Sequence, residues 1–441
     1  MTELKDLGRA VMQTVDAGGF YFSRVATGGP WVFMAAVAVD ETGGVAAAAQ
    51  VPVPYKLSQS ANVRAQTQYI LENYRDGLAT LGADFNDIVQ VEQYVSYKAH
   101  ADGYLEVSRA PGFLEQDRPS SALMASGDFW PVQCVVNPSA IAYIPGHGLK
   151  KEMALSGPPK PPLSELYGSH YSKEAPTGEI ATAGPYIYTT ITAVGGLTDV
   201  HEDAKVVPGV WWGNEIRNET RFGLKALAKK LGVVGSEVDN AMHCTVHLTH
   251  IDDLYELDLV WKNVFGDNPP ARTVVPVRGL FMPRKEDARG HEENAIRVEM
   301  QFRSIRSGYD IEKQIITTDL ETFGHEPVAT RAGSLLWTSG QLGGGKDGLA
   351  GDGSTQAQLE EIFRRLEVIC RAGGTSLDNL LRLRAYVTDP DDAQYVYAAL
   401  KKAVPHNPPV VSITGVPGPL QVDGCTVIVD AVAHVPGTGG Y

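Results

Sequence analysis

The chain has 441 residues, of which 43% are hydrophobic and 20% charged, with 38 Lys and Arg against 52 Asp and Glu. A formal charge of −14 argues against nucleic acid or an anionic membrane surface as the main partner, because both need clustered cations, yet a small anion on one local arginine is still allowed. No apolar run is long enough to span a membrane, and the start Met1-Thr2-Glu3-Leu4-Lys5-Asp6 shows no basic-then-apolar signal, so cytoplasmic residence is expected.

The four cysteines, Cys134, Cys244, Cys370 and Cys425, are scattered and show no C-x-x-C spacing, so they read as reduced core residues. A threefold internal repeat organises everything else. In residues 1–155 the spacing predicts a strand at Trp31-Val32-Phe33-Met34 and an amphipathic helix from Val63 to Leu81, with Ile70, Leu71, Tyr74 and Leu78 on one face and Gly82 as its stop. A strand at Ile88 to Val95, a helix from Tyr104 to Leu114 and closing strands to Ile144 follow. Residues 156–308 open on the stiff connector Ser156-Gly157-Pro158-Pro159-Lys160-Pro161-Pro162. They repeat the pattern with Tyr186-Ile187-Tyr188-Thr189, a helix from Asn214 to Leu231 stopped by Gly232, a strand from Ala241 to Leu248 and a helix from Asp252 to Phe265. Residues 309–441 repeat it again with Leu335 to Gln341, a helix from Thr355 to Ala372, a strand from Leu380 to Thr388, a helix from Asp391 to Val404 and a last strand from Thr426 to His434.

A period of roughly 140 to 150 residues is too long for a solenoid unit, so each repeat reads as a small α+β domain with helices on one face of a sheet. Period-two alternation puts Gln90, Glu92 and Tyr94, then His243, Thr245 and His247, then Arg382, Arg384 and Tyr386 on the sheet face opposite Val91, Val246, Leu383 and Val387. Such mixed polar faces suit a shared centre with sheets inside and helices outside. The row His243, Cys244, His247, His250 does not read as a metal site, because alternation separates His243 and His247 by about 13 Å on one face and turns Cys244 to the other.

The stretch Asn268-Pro269-Pro270-Ala271-Arg272 ends a helix and sets an arginine at the mouth of a strand; a charged insertion, Arg284 to Glu293, then leads to a strand carrying Glu299. A guanidinium fork near a lone carboxylate suits an anion-plus-water site, with a structural ion pair as the plain alternative. The insertion reads as a solvated hairpin tip able to lie over that cleft.

With Ser339-Gly340-Gln341, the helix-glycine-strand core and Asn268 to Arg272 followed by Val298-Glu299, the chain resembles the RidA (YjgF-like) imine deaminase family, small homotrimers of chorismate-mutase-like fold. The resemblance implies three tandem copies forming a trimer on one polypeptide. It also implies a cleft between neighbouring repeats in which Arg272 binds a substrate carboxylate, Glu299 handles water and a tyrosine closes the site. That tyrosine matches Tyr171 in the second repeat and Tyr21 in the first, whereas Glu326, next to His325, stands there in the third. The arginine and glutamate positions hold Ser121 and Asn137 in the first repeat and Val411 and Ile428 in the third, so at most one cleft would keep the family chemistry.

The expected function is therefore hydrolytic deamination of a C=N bond in a small carboxylate-bearing molecule, with Arg272 and Glu299 catalytic and Tyr171, Tyr21, His325, Glu326 and Ser339 lining the site. No cofactor is expected, because an imine carbon is already electrophilic, and further association of the pseudo-trimer is an open expectation. A cyclic amide hydrolase would need a lysine near Ser120 or Ser121, and none is close in sequence. A non-catalytic ligand-binding scaffold is the third reading.

Overall fold

The computed structural model describes residues 7–438 apart from 53, 56–57, 115–118, 158–178, 196–198, 207–213, 281–283, 287–291 and 295. One connectivity recurs three times. A hairpin (Phe20–Gly28 with Trp31–Ala35; Ile180–Ala183 with Tyr186–Thr192; Ala329–Ala332 with Leu335–Thr338) pairs through its second strand with the last strand of its set (Val136–Tyr143, Val298–Ile305, Val427–His434). That last strand runs antiparallel to a middle strand (Ile88–Val95, Ala241–Leu248, Leu380–Val387), which in turn runs parallel to an edge strand (Ser120–Ala125, Ala271–Pro276, Val410–Gly415). A parallel step needs a crossover, supplied in each set by a helix: Ala101–Ser108, Leu254–Phe265 or Ala393–Ala403.

Longer helices, Gln59–Thr80, Glu215–Val233 and Thr355–Ala372, join hairpin to middle strand. Each is capped by a side chain, Ser58, Asn214 and Ser354, that accepts a hydrogen bond from the backbone N–H three residues on. Several expected boundaries move; the first long helix starts at Gln59, four residues before Val63, and the strand from Leu335 ends at Thr338. Gly232 lies inside its helix, and the left-handed turn falls at Gly235. The helix of the first set runs from Ala101 to Ser108, earlier and shorter than Tyr104 to Leu114. A leading strand also precedes every hairpin (Ala10–Ala17, Lys151–Ala154, Gln314–Ile316). These short strands are part-exposed and lack clean alternation, so the sequence does not announce them.

The two faces of each sheet divide as alternation requires. Val91, Val246, Leu383 and Val387 join apolar clusters under the helices, while the nine polar and aromatic residues opposite them are all buried against one another. The sets meet in cyclic order. Ser120 at the first edge strand contacts Thr190 of the second hairpin, oxygen to oxygen at 3.1 Å. Arg272 at the second edge strand accepts on its carbonyl oxygen from the N–H of Gly340 of the third set at 3.0 Å. The third edge strand pairs with Phe20–Gly28, where Ser23 donates its N–H to the Pro409 carbonyl at 3.0 Å. No helix among the described residues is long and apolar enough to cross a membrane.

Candidate functional site

Arg272 begins an edge strand and points to the helix side, because its register partner Cys244 packs there with Val246. Each of its three guanidinium nitrogens is engaged. Nη1 donates to Asp258 at 2.5 Å, and Nε and Nη2 both donate to one carboxylate oxygen of Glu326 at 3.1 and 2.6 Å. The Trp261 ring covers it at 4.9 Å. Asp258 and Trp261 stand three apart on the helix Leu254–Phe265, hence on one face. Burial works against the charge of Arg272, and the carboxylates of Glu326 and Asp258 more than offset it, so the group stays a cation. Gly324 seals the arrangement, since a Cβ there would collide with both the guanidinium and the Glu326 carboxylate.

Around this cluster lie the third set's expected site residues. Ser339 Oγ accepts from the Arg272 N–H at 3.0 Å and donates to the Pro327 carbonyl at 2.5 Å. His325 Nε2 bonds the Gly266 carbonyl at 2.7 Å. Arg272, Glu326, His325 and Ser339 thus do share one junction, between the second and third sets. Glu326, however, fills with its own carboxylate the place expected for a substrate's.

Glu299 lies elsewhere and, contrary to expectation, shares no crevice with Arg272. It pairs in register with His247, whereas Arg272 pairs with Cys244, three positions away on the same strand, so the two side chains leave opposite faces of the sheet. They also serve different junctions. Gln301, on the same face as Glu299, donates to the Val91 carbonyl of the first set at 2.9 Å. Glu299 is 5% exposed, and its Oε1 has no hydrogen-bond partner among the described residues. Burial, then the nearby charge of Glu92, pushes its carboxyl up to about 8.

His247 completes this second location. Its Nε2 meets the Tyr94 hydroxyl at 2.9 Å and lies 3.7 Å from Glu92, while Nδ1 is unpartnered among the described residues. Burial lowers it to about 4, so the ring is neutral near pH 7. Thr192 stands opposite Glu299 on the other side. Across the first and third sets, Tyr21 donates its hydroxyl to the Val404 carbonyl at 2.8 Å, a packing role. Tyr171 lies outside the described residues, as do the side chains of the charged insertion.

Sequence reasoning missed Asp258 and Trp261 as partners of Arg272. A signal existed, for Asp258 is an acid four residues after Leu254 and three before Trp261, at the edge of an otherwise apolar helix face. His247 was assigned to central packing, which it performs, but its pairing with Glu299 depends on strand register.

Residues 321–435 match the family model described as Endoribonuclease L-PSP. Over 99 residues the chain is 31% identical to protein mmf2, mitochondrial, of Schizosaccharomyces pombe, covering 22% of this chain and 77% of that protein. Over 109 residues it is 28% identical to the RutC family protein YjgH of Escherichia coli, covering 25% of this chain and 82% of that protein. A crystal structure of a chorismatase aligns with 79% of this chain and 93% of its own at 12% identity and a TM-score of 0.47, a likeness too weak to bear on the reaction.

Proposed function

We propose, from the premise that this chain belongs to the endoribonuclease L-PSP family (RidA, YjgF-like), that it consists of three tandem copies of the family unit closed into a trimer-like ring, and that it hydrolyses a C=N bond of a small molecule at Glu299. The observation that carries the reading is a buried carboxyl whose Oε1 has no partner among the described residues and which stands in register with the buried His247; burial, then the charge of Glu92, pushes that carboxyl up to about 8. A general acid whose pKa sits near the working pH can both give and take a proton.

In this scheme the acid form of Glu299 protonates the imine nitrogen. The resulting carboxylate takes a proton from water as the oxygen bonds to the imine carbon, and His247 Nδ1 accepts a hydrogen bond from that water. Glu299 then protonates the amine nitrogen, the C–N bond breaks and ammonia departs. The hydroxyl proton returns to Glu299 as the carbonyl forms, so the acid is regenerated. Arg272 takes no part in this scheme, since its charge is already paired with Glu326 and Asp258 and it lies on the opposite face of the sheet from Glu299. It clamps the junction between the second and third sets.

The test uses imines generated in solution by oxidation of amino acids, with release of ammonia followed. The wild-type chain should accelerate release, and Glu299→Gln should lose roughly 10²- to 10⁴-fold of that acceleration. Equal rates for the two proteins would remove Glu299 from the chemistry. Saturation of Arg272 favours a second reading, ligand binding without turnover. Calorimetric binding of the carbonyl product by a wild-type chain that accelerates nothing would select it.

A further inference from the structure

The inner faces of the three sets stack in layers, and one layer is short of acceptors. Register places Gln90, His243 and Arg382 at equivalent positions of the three middle strands, level with Phe33, Tyr188 and Trp337 on the hairpins. All six are buried. Arg303 enters the same layer and is well supplied, donating to Gln90 Oε1 at 2.6 Å, Thr245 Oγ1 at 2.6 Å and Gln301 Oε1 at 3.1 Å. One layer away, Arg384 is held by Asp430 at 2.8 and 2.6 Å and by Glu92 at 2.5 Å.

Arg382 has no such support. Its guanidinium lies 5.6 Å from the ring centres of both Phe33 and Trp337, and its Nε and Nη2 meet no acceptor among the described residues. Three further groups in its layer share that condition: Gln90 Nε2, the Tyr188 hydroxyl and Trp337 Nε1, every one able to donate. The charges do not balance either. Among the described residues, the carboxylates near the guanidiniums of Arg303, Arg382 and Arg384 are those of Glu92 and Asp430, while the buried histidines are neutral and burial keeps Glu299 an acid. A buried cation without a counter-charge is among the costliest arrangements a core can hold.

We propose that the centre of the molecule binds a small monovalent anion of halide size, held by Nε and Nη2 of Arg382 with Gln90 Nε2, the Tyr188 hydroxyl and Trp337 Nε1 as further donors. Phe33 and Trp337 flank the guanidinium, and a single-atom ion can serve several donors of one layer without needing acceptors of its own. The site supplies the missing charge where the three sets meet, so its occupancy stabilises the ring and is independent of any reaction at Glu299.

Crystals grown with bromide as the halide provide the direct test. An anomalous bromide peak within hydrogen-bond reach of Arg382 supports the site, and a water there with no anomalous signal overturns it. In solution, the unfolding midpoint of protein refolded in sodium chloride should exceed that in sodium gluconate at equal ionic strength and rise with chloride concentration, as for any ligand of the folded state alone. Arg382→Met should abolish that difference. Wild-type midpoints identical in the two salts would overturn the proposal, and this arm and the bromide arm decide the matter even if the variant fails to fold.

Discussion

Arg272 shows how one side chain's partners decide its role. A guanidinium open to a cleft would recruit a carboxylate from solution, but here two carboxylates of the chain itself engage each of its three nitrogens. Replacing Arg272 with Met would leave Glu326 buried without a counter-charge, and the expected loss is about 3–5 kcal/mol of stability, read by urea unfolding. Glu326→Gln should cost less, since Asp258 still neutralises the cation. A loss under about 1 kcal/mol for Arg272→Met would show that the cluster is solvated and not a clamp.

Among the elements, two glycines of similar appearance have opposite meanings. Gly232 sits in the last turn of its helix with nothing near the position a Cβ would take, so Gly232→Ala should stabilise by about 0.5–1 kcal/mol. At Gly415, the end of the third edge strand, a Cβ would strike the carbonyl oxygen of Asp128, and one on Gly127 would strike the backbone of Gly415. Two backbones from the first and third sets therefore touch there. Gly415→Ala should cost about 1–3 kcal/mol by forcing that junction apart. Thermal unfolding of the two variants side by side checks the signs.

For the whole molecule, the buried centre sets how stability depends on pH. His247 is depressed to about 4, so between its ordinary value and pH 4 the unfolded chain binds more protons than the folded one, and stability falls as pH falls through that window. Burial alone would raise Glu92, but Arg384, then Arg303 and Arg382, carry it well below the usual carboxylate range, which adds a further loss at low pH. Glu299 acts in the opposite sense. It is raised to about 8, so above its ordinary value the folded chain binds the extra proton, and stability falls as pH rises toward 8. Between pH 4.5 and 6.5 the opposing slopes of His247 and Glu299 cancel, so the folded state should be most stable on a plateau there and decline above pH 6.5 and below pH 4.5. Glu299→Gln should reduce the alkaline decline, leaving the part due to Glu219, which burial pushes up to about 7, and be more stable than wild type at pH 8.5, which also separates a loss of turnover in that variant from misfolding. Urea midpoints across the pH range measure both limbs.

Much of this architecture is local and so was open to reading from the chain alone. Helix periodicity placed the long helices to within a few residues, and strand alternation named all nine inward-facing residues from Gln90 to Tyr386, because both depend only on neighbours a few positions apart. The fate of each candidate site residue was not local. Whether Arg272 and Glu299 share a crevice depends on the parity of Cys244 and His247 along one strand and on which set lies beside each edge. Glu326 reaches Arg272 only because the third set closes against the second. Sequence spacing carries the types of group available, while strand register and the contacts between neighbouring sets decided which of them meet.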